Sequence, residues 1–177
     1  MDGYLLDANH VIPLLRPDDA DRTRILNRMA AMPPDSPVCI ATGTLAELEV
    51  GCCFQKGRSE AQADIRETIR ANNLSVLEFT NHTAAEYGIL KAALMRKYNR
   101  EALKKNRAKF PEEWTSPDKG KTLGVDEFDL LVVSHAIERN LVLVTTDRML
   151  RICDGLGETS ERLHFLNWVP PQSADAT

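Results

Sequence analysis

Two short apolar runs, each leading to an acid, constrain this chain more than any other feature. Tyr4-Leu5-Leu6 stops at Asp7, and Leu141-Val142-Leu143-Val144 passes through Thr145 and Thr146 to Asp147. An apolar run that short, without alternation, suits a strand covered on both faces, as in a parallel sheet. In open parallel sheets the reactive crevice lies beyond the carboxyl ends of the strands. An acid just past such a run therefore stands where chemistry is done. It also stands where a helix N-cap belongs, and at this level both roles stay open.

Between these runs the pattern alternates. Helical spacing is expected over residues 10–15, kept short by Pro13. A second helix follows Asp18 and Asp19, with Ile25, Leu26, Met29 and Met32 on one stripe. Residues 38–41 read as a strand, 44–54 and 59–71 as helices, and 76–79 as a third strand. A helix begins near Thr83 and fades near Ala108, and residues 111–121 read as a loop. Residues 128–139 form a helix that is apolar almost all round and hence buried, and 163–168 supply a last edge strand. Strands alternating with helices define an α/β chain, a layered sandwich whose central sheet is short and mostly parallel. One domain over residues 1–168 is expected, with a disordered tail over 169–177.

Composition sets the remaining limits. The chain has 177 residues, 22 basic against 26 acidic, and a formal net charge of −4. Such a balance argues against a polybasic nucleic-acid coat but leaves room for a local basic patch. Cys39, Cys52, Cys53 and Cys153 show no CxxC or Cys/His zinc spacing, so neither a disulfide framework nor structural zinc is expected. No apolar run reaches the roughly 18 residues of a membrane span, and the acid-bearing start MDGYLLDANH is unlike a secretory leader. A cytoplasmic location without membrane contact is the expectation.

Two further acids are hard to explain by solvation. Glu47 interrupts an apolar helix face, and Asp129 opens the run Leu130-Leu131-Val132-Val133. A lone buried carboxylate is costly, and no basic residue lies within a helical turn of either. A shared hard cation such as Mg²⁺ or Mn²⁺ is the other remedy. Carboxylates holding divalent ions can serve phosphodiester cleavage. Of the neighbouring acids, Asp126 suits a helix N-cap, with Asp129 three residues on in the first turn.

These residues also carry a resemblance. The blocks Tyr4-Leu5-Leu6-Asp7-Ala8-Asn9, Thr44-Leu45-Ala46-Glu47-Leu48-Glu49-Val50-Gly51, Asp129 to Ala136, and Leu143-Val144-Thr145-Thr146-Asp147 resemble, in order and separation, the four motif blocks of PIN-domain ribonucleases. They look most like the VapC-type toxins of toxin–antitoxin pairs. The likeness spans nearly the whole chain, to about Trp168. It implies a PIN-like three-layer sandwich, with Asp7, Glu47, Asp129 and Asp147 as the acidic metal site. Asn9 and Thr145 would orient those carboxylates. It further implies Mg²⁺- or Mn²⁺-dependent hydrolysis of RNA, a homodimer, and neutralisation by a cognate antitoxin. A catalytically weak PIN fold that only binds RNA or antitoxin is the alternative; loss of one acid would mark it, and all four are present.

The stretch 97–123 is longer than that pattern and reads as an insertion. It overlaps a basic run from Lys91 to Lys109 in which Glu101 is the sole acid. Lys97, Arg100, Lys104 and Lys105 are the candidate phosphate contacts; a solvated helix end is the competing reading. His135 is expected to be a core or surface-facing imidazole rather than a general base, and the Cys52–Cys53 pair to pack rather than react. His10, next to the first block, is not favoured as an RNA contact, and Trp114 is expected to be an exposed or self-packed loop aromatic rather than a base-stacking one.

Overall fold

The protein was analysed as a computed structural model, which describes residues 1–100, 110–115 and 122–169. Five strands form one sheet: β1 (Tyr4–Leu6), β2 (Val38–Ala41), β3 (Ser75–Leu77), β4 (Val142–Val144) and β5 (His164–Leu166). Their order is β3-β2-β1-β4-β5, and every pairing is parallel. The helices among the described residues are α1 (Ala8–Leu15), α2 (Ala20–Ala30), α3 (Thr42–Cys53), α4 (Arg58–Ala71), α5 (Asn81–Tyr98), α6 (Glu127–Glu138) and α7 (Leu150–Leu156).

Strand alternation divides the core into two layers. Leu5, Cys39 and Leu143 face one side, where they meet Leu90 and Leu94 of α5, Leu130 and Val133 of α6, and Ile152 of α7. Leu6, Ile40 and Val144 face the other, against Val11 and Leu14 of α1, Ile25 of α2, Leu48 of α3 and Ile65 of α4. Helices on both faces make this the expected three-layer α/β sandwich. No helix among the described residues is long and apolar enough to cross a membrane.

The topology decides where the chemistry goes. From β1 the chain builds outward through β2 to β3, then crosses to the other side of β1 for β4 and β5. The sheet direction therefore switches between β1 and β4, and a crevice opens there beyond the strand ends. Register sets Leu6 beside Val144, so Asp7 and Thr145 leave the sheet side by side.

Several boundaries differ from the pattern reading. The third strand is Ser75–Leu77, ending before Phe79. Gly57, with φ 88°, caps α4, which begins at Arg58, one residue before the expected start. Helix α5 is capped by Thr80 and spans Asn81–Tyr98; the expected fading near Ala108 falls on residues 101–109, which lie outside the described residues, as do 116–121 and 170–177 of the expected 169–177 tail, whose first residue, Val169, is buried. The loop beyond is not a detached excursion. A 3₁₀ turn at Pro111–Glu113 leads to Trp114, which is 1% exposed within the α5–α6 layer. The Glu112 carboxylate accepts the backbone N–H of Glu127 at 3.0 Å, tying this turn to the start of α6.

Candidate functional site

Asp7 caps α1: its Oδ1 accepts the N–H of Ala8 at 2.8 Å. Capping uses one oxygen and leaves the other for the crevice. Oδ2 accepts from Thr145 Oγ1 at 2.8 Å and from Asn9 Nδ2 at 2.8 Å. Thr145 Oγ1 in turn accepts from Asn9 Nδ2 at 3.0 Å and from the N–H of Asp147 at 3.1 Å. That hydroxyl thus uses its one proton and both lone pairs. Asn9 also reaches Asp147 Oδ2 at 3.4 Å. Asn9 and Thr145 thus hydrogen-bond to both strand-end acids, Asp7 and Asp147.

The third acid comes from the N-terminus of α6, where Asp126 and Asp129 form a reciprocal capping box. Asp126 Oδ1 accepts the Asp129 N–H at 2.8 Å, and Asp129 Oδ2 accepts the Asp126 N–H at 2.9 Å. Asp126 is exposed and Asp129 half-buried. The fourth acid, Glu47, projects from α3. It is exposed, not buried as its apolar neighbours suggested, because α3 turns that face to the crevice. Asp7, Asn9, Glu47, Asp126, Asp129 and Asp147 line one cavity of about 190 Å³. Asp126, beyond its capping role, is a fifth acid on the wall; its position three residues before Asp129 was the only sequence signal for it.

The electrostatics of the cavity are those of unneutralised acids. Burial lifts the Asp129 carboxyl to about 7; Asp126, Asp7 and Asp147 push the same way, against the backbone hydrogen bond from Asp126. Burial likewise raises Asp7, opposed by its hydrogen bonds from Thr145 and Ala8 and reinforced by Asp147 and Asp126. Glu47 is raised by desolvation first, then by Asp7 and Asp126. Among the described residues, the charged groups acting on these three carboxyls are other acids. Among the described residues no three His, Cys, Asp or Glu side chains form a closed set able to hold a metal ion. Five carboxylates on one cavity are nonetheless an oxygen donor set of the kind hard divalent cations take. A cation would relieve both burial and mutual repulsion.

A larger cavity of about 670 Å³ shares Asp126, Asp129 and Asp147 with this one and continues past Arg148 and Arg151. The two described members of the proposed basic arm are already engaged. The Lys97 ammonium pairs with the Asp154 carboxylate and donates to the Asp154 carbonyl at 2.7 Å, while Arg100 Nε donates to the Arg96 carbonyl at 2.9 Å. Lys104 and Lys105 lie outside the described residues. His135 is buried and donates from Nδ1 to the Leu131 carbonyl at 2.8 Å, the core placement of the two expected.

A family model described as the PIN domain matches residues 4–156. The solved structure of VapBC2 from Rickettsia felis, bound to a DNA fragment from their promoter, superposes with a TM-score of 0.63 at 21% identity, covering 94% of this chain and 98% of that one. VapBC-1 from nontypeable Haemophilus influenzae gives 0.61 at 21% identity, over 93% and 97% of the two chains. DNA-bound VapBC from Salmonella typhimurium gives 0.57 at 20%, over 96% and 100%. No curated protein matches the sequence. At such identities the solved structures speak for the fold alone, whereas the family model spans most of the chain, and the chain belongs to the PIN domain family.

Proposed function

We propose that this protein is a Mg²⁺- or Mn²⁺-dependent endoribonuclease of the PIN class, acting in the cytoplasm as the VapC-like toxin of a toxin–antitoxin pair. The observation that carries the proposal is the convergence of Asp7, Glu47, Asp129 and Asp147 on one cavity at the β1/β4 switch, with Asn9 and Thr145 fixing two of them. In this reading the four acids hold the ion. Bound there, Mg²⁺ or Mn²⁺ supplies the water activation and charge neutralisation that phosphodiester hydrolysis requires. Asp7 and Thr145 stay fixed because their hydrogen bonds run to backbone and to each other. RNA enters along the larger cavity, where the exposed Arg148 meets its phosphates beside the acids. Lys97, Arg100, Lys104 and Lys105 remain proposed phosphate contacts further out. An antitoxin partner is supported by the toxin–antitoxin complexes to which the fold is similar. A homodimer is part of the same reading, checked by sedimentation.

The decisive assay is purified protein with labelled RNA, with and without Mg²⁺ or Mn²⁺, beside Asp7→Asn. Cleavage that needs the cation and disappears in the variant is expected. Cleavage undiminished by a chelator, or equal in the variant, would sink the reading. Thr145→Val keeps the shape of the side chain but takes the donor from Asp7 and the acceptor from Asp147. Activity or cation affinity should fall roughly 10–100-fold, while the melting temperature changes little.

The raised carboxyls fix the pH dependence of stability. Asp129 moves from 3.8 to about 7 on folding. Between those values the folded chain therefore holds more protons than the unfolded one, and the cation-free protein loses stability as pH rises through that window. Melting in EDTA should be lower near neutral pH than near pH 5 by an amount worth about 1–2 kcal/mol. Mn²⁺, bound by the ionised carboxylates, should raise it more at the higher pH. A cation-free melting temperature that climbs with pH over this range contradicts the acid cluster.

A further inference from the structure

His10, beside Asn9 on α1, is fully buried, its ring edge-on to Trp168 with centroids 6.3 Å apart. Both ring nitrogens are engaged. Nε2 lies 3.3 Å from the backbone N of Trp168, and Nδ1 lies 2.7 Å from Oδ1 of Asn9. Oδ1 of Asn9 also accepts the backbone N–H of Thr146 at 3.2 Å. Backbone N–H groups can only donate, and one stands at each end of this chain of contacts. The Trp168 N–H requires Nε2 to be the bare nitrogen. A neutral imidazole then carries its proton on Nδ1 and donates it to Asn9 Oδ1. With Oδ1 held by two donors, the Asn9 amide group is turned to Asp7 Oδ2 and Thr145 Oγ1. The reversed carboxamide would set an oxygen against the Asp7 carboxylate, acceptor against acceptor. Burial pushes the ring down to about 4, with Asn167 and Asp21 pulling the other way, in keeping with a neutral ring.

We propose that His10, as the neutral Nδ1–H tautomer, is a positioning residue that holds the Asn9 amide toward the acidic site and so sets the site's affinity for a divalent cation. The chain Trp168–His10–Asn9 also makes the segment after β5 part of the site's support, although Trp168 lies 158 residues from His10. This rests on the cation-binding reading above; the protonation pattern itself does not.

Two variants separate support of the site from support of the fold. His10→Gln places an amide oxygen where Nε2 was, keeping the Trp168 contact but giving Asn9 no donor. His10→Asn places an amide N–H where Nδ1 was, keeping the donor to Asn9 but abandoning Trp168. Calorimetric titration with Mn²⁺ alone, without RNA, should show affinity falling roughly 10–100-fold in His10→Gln. His10→Asn should recover about tenfold of that loss while melting lower than His10→Gln. Wild-type affinity in His10→Gln, or equal losses in both variants, overturns the proposal. Nitrogen-15 correlation spectra of the wild-type ring, which do not depend on either variant folding, should show the proton on Nδ1; a proton on Nε2 overturns it too. Wild-type protein with the Nδ1–H ring but no Mn²⁺ binding would instead overturn the proposed function, and with it the role assigned to the ring.

Discussion

Asp129→Asn is expected to abolish cation-dependent RNA cleavage while making the cation-free protein more stable at neutral pH. The two effects share one cause. Asp129 is half-buried among acids, and burial holds its carboxyl at about 7. The amide removes a charge that is costly to keep there, yet its oxygen can still accept the Asp126 N–H, so the capping box at the start of α6 survives. Loss of activity should exceed the roughly 10–100-fold typical of an outer supporting residue, because a ligand itself is lost. Mn²⁺ should then no longer raise the melting temperature. Asp126→Asn is the control: its oxygen can still accept the Asp129 N–H, and it should cost far less activity. Cleavage lost in Asp126→Asn but kept in Asp129→Asn would reverse the assignment of ligand and cap.

Trp114→Ala is expected to be the most destabilising single change outside the sheet, at about 3–5 kcal/mol. The side chain is 1% exposed and packs within the layer formed by Leu90, Leu94, Leu130 and Ile152. The surrounding helices cannot collapse into a void of that size, so both the transfer and the cavity contributions are lost. Its turn also carries Glu112, whose carboxylate holds the first N–H of α6 beside the acidic cavity. Chemical denaturation should show a lower midpoint with an unchanged slope. A loss below about 1 kcal/mol, the scale of an ordinary surface substitution, would mean that Trp114 is not a core residue.

Both predictions mark the border of what was legible in the residues alone. Asp129 was readable because it precedes an apolar run with no local cation. Its cap Asp126 was readable from the three-residue offset, a purely local relation. Trp114 reads from the sequence only as a loop aromatic, exposed or self-packed. Its neighbours Pro111 and Glu112 give a turn, and nothing in a turn specifies which distant helix layer it enters. The apolar neighbours of Glu47 predict a buried acid. Only the seating of α3 over the sheet shows that this face opens on the crevice. His10 gives only a weak signal, its place next to the first block, since its meaning lies in the Trp168 N–H at the far end of the chain.

Strand and helix type, the parallel sheet and the acids at the strand ends were determined by the sequence itself. Apolar periodicity, caps and breakers act over a few residues and are written there. The site was decided only by tertiary structure. Asp7 and Thr145, 138 residues apart, share a hydrogen bond because the crossover from β3 to β4 returns the chain to the free side of β1. A parallel register then sets the two strand ends level. The same closure gathers like charges into one cavity, and their mutual desolvation gives Asp129 its raised affinity for protons. Affinity of that kind belongs to no residue alone; it arises from distance and dielectric, which exist once the chain has folded.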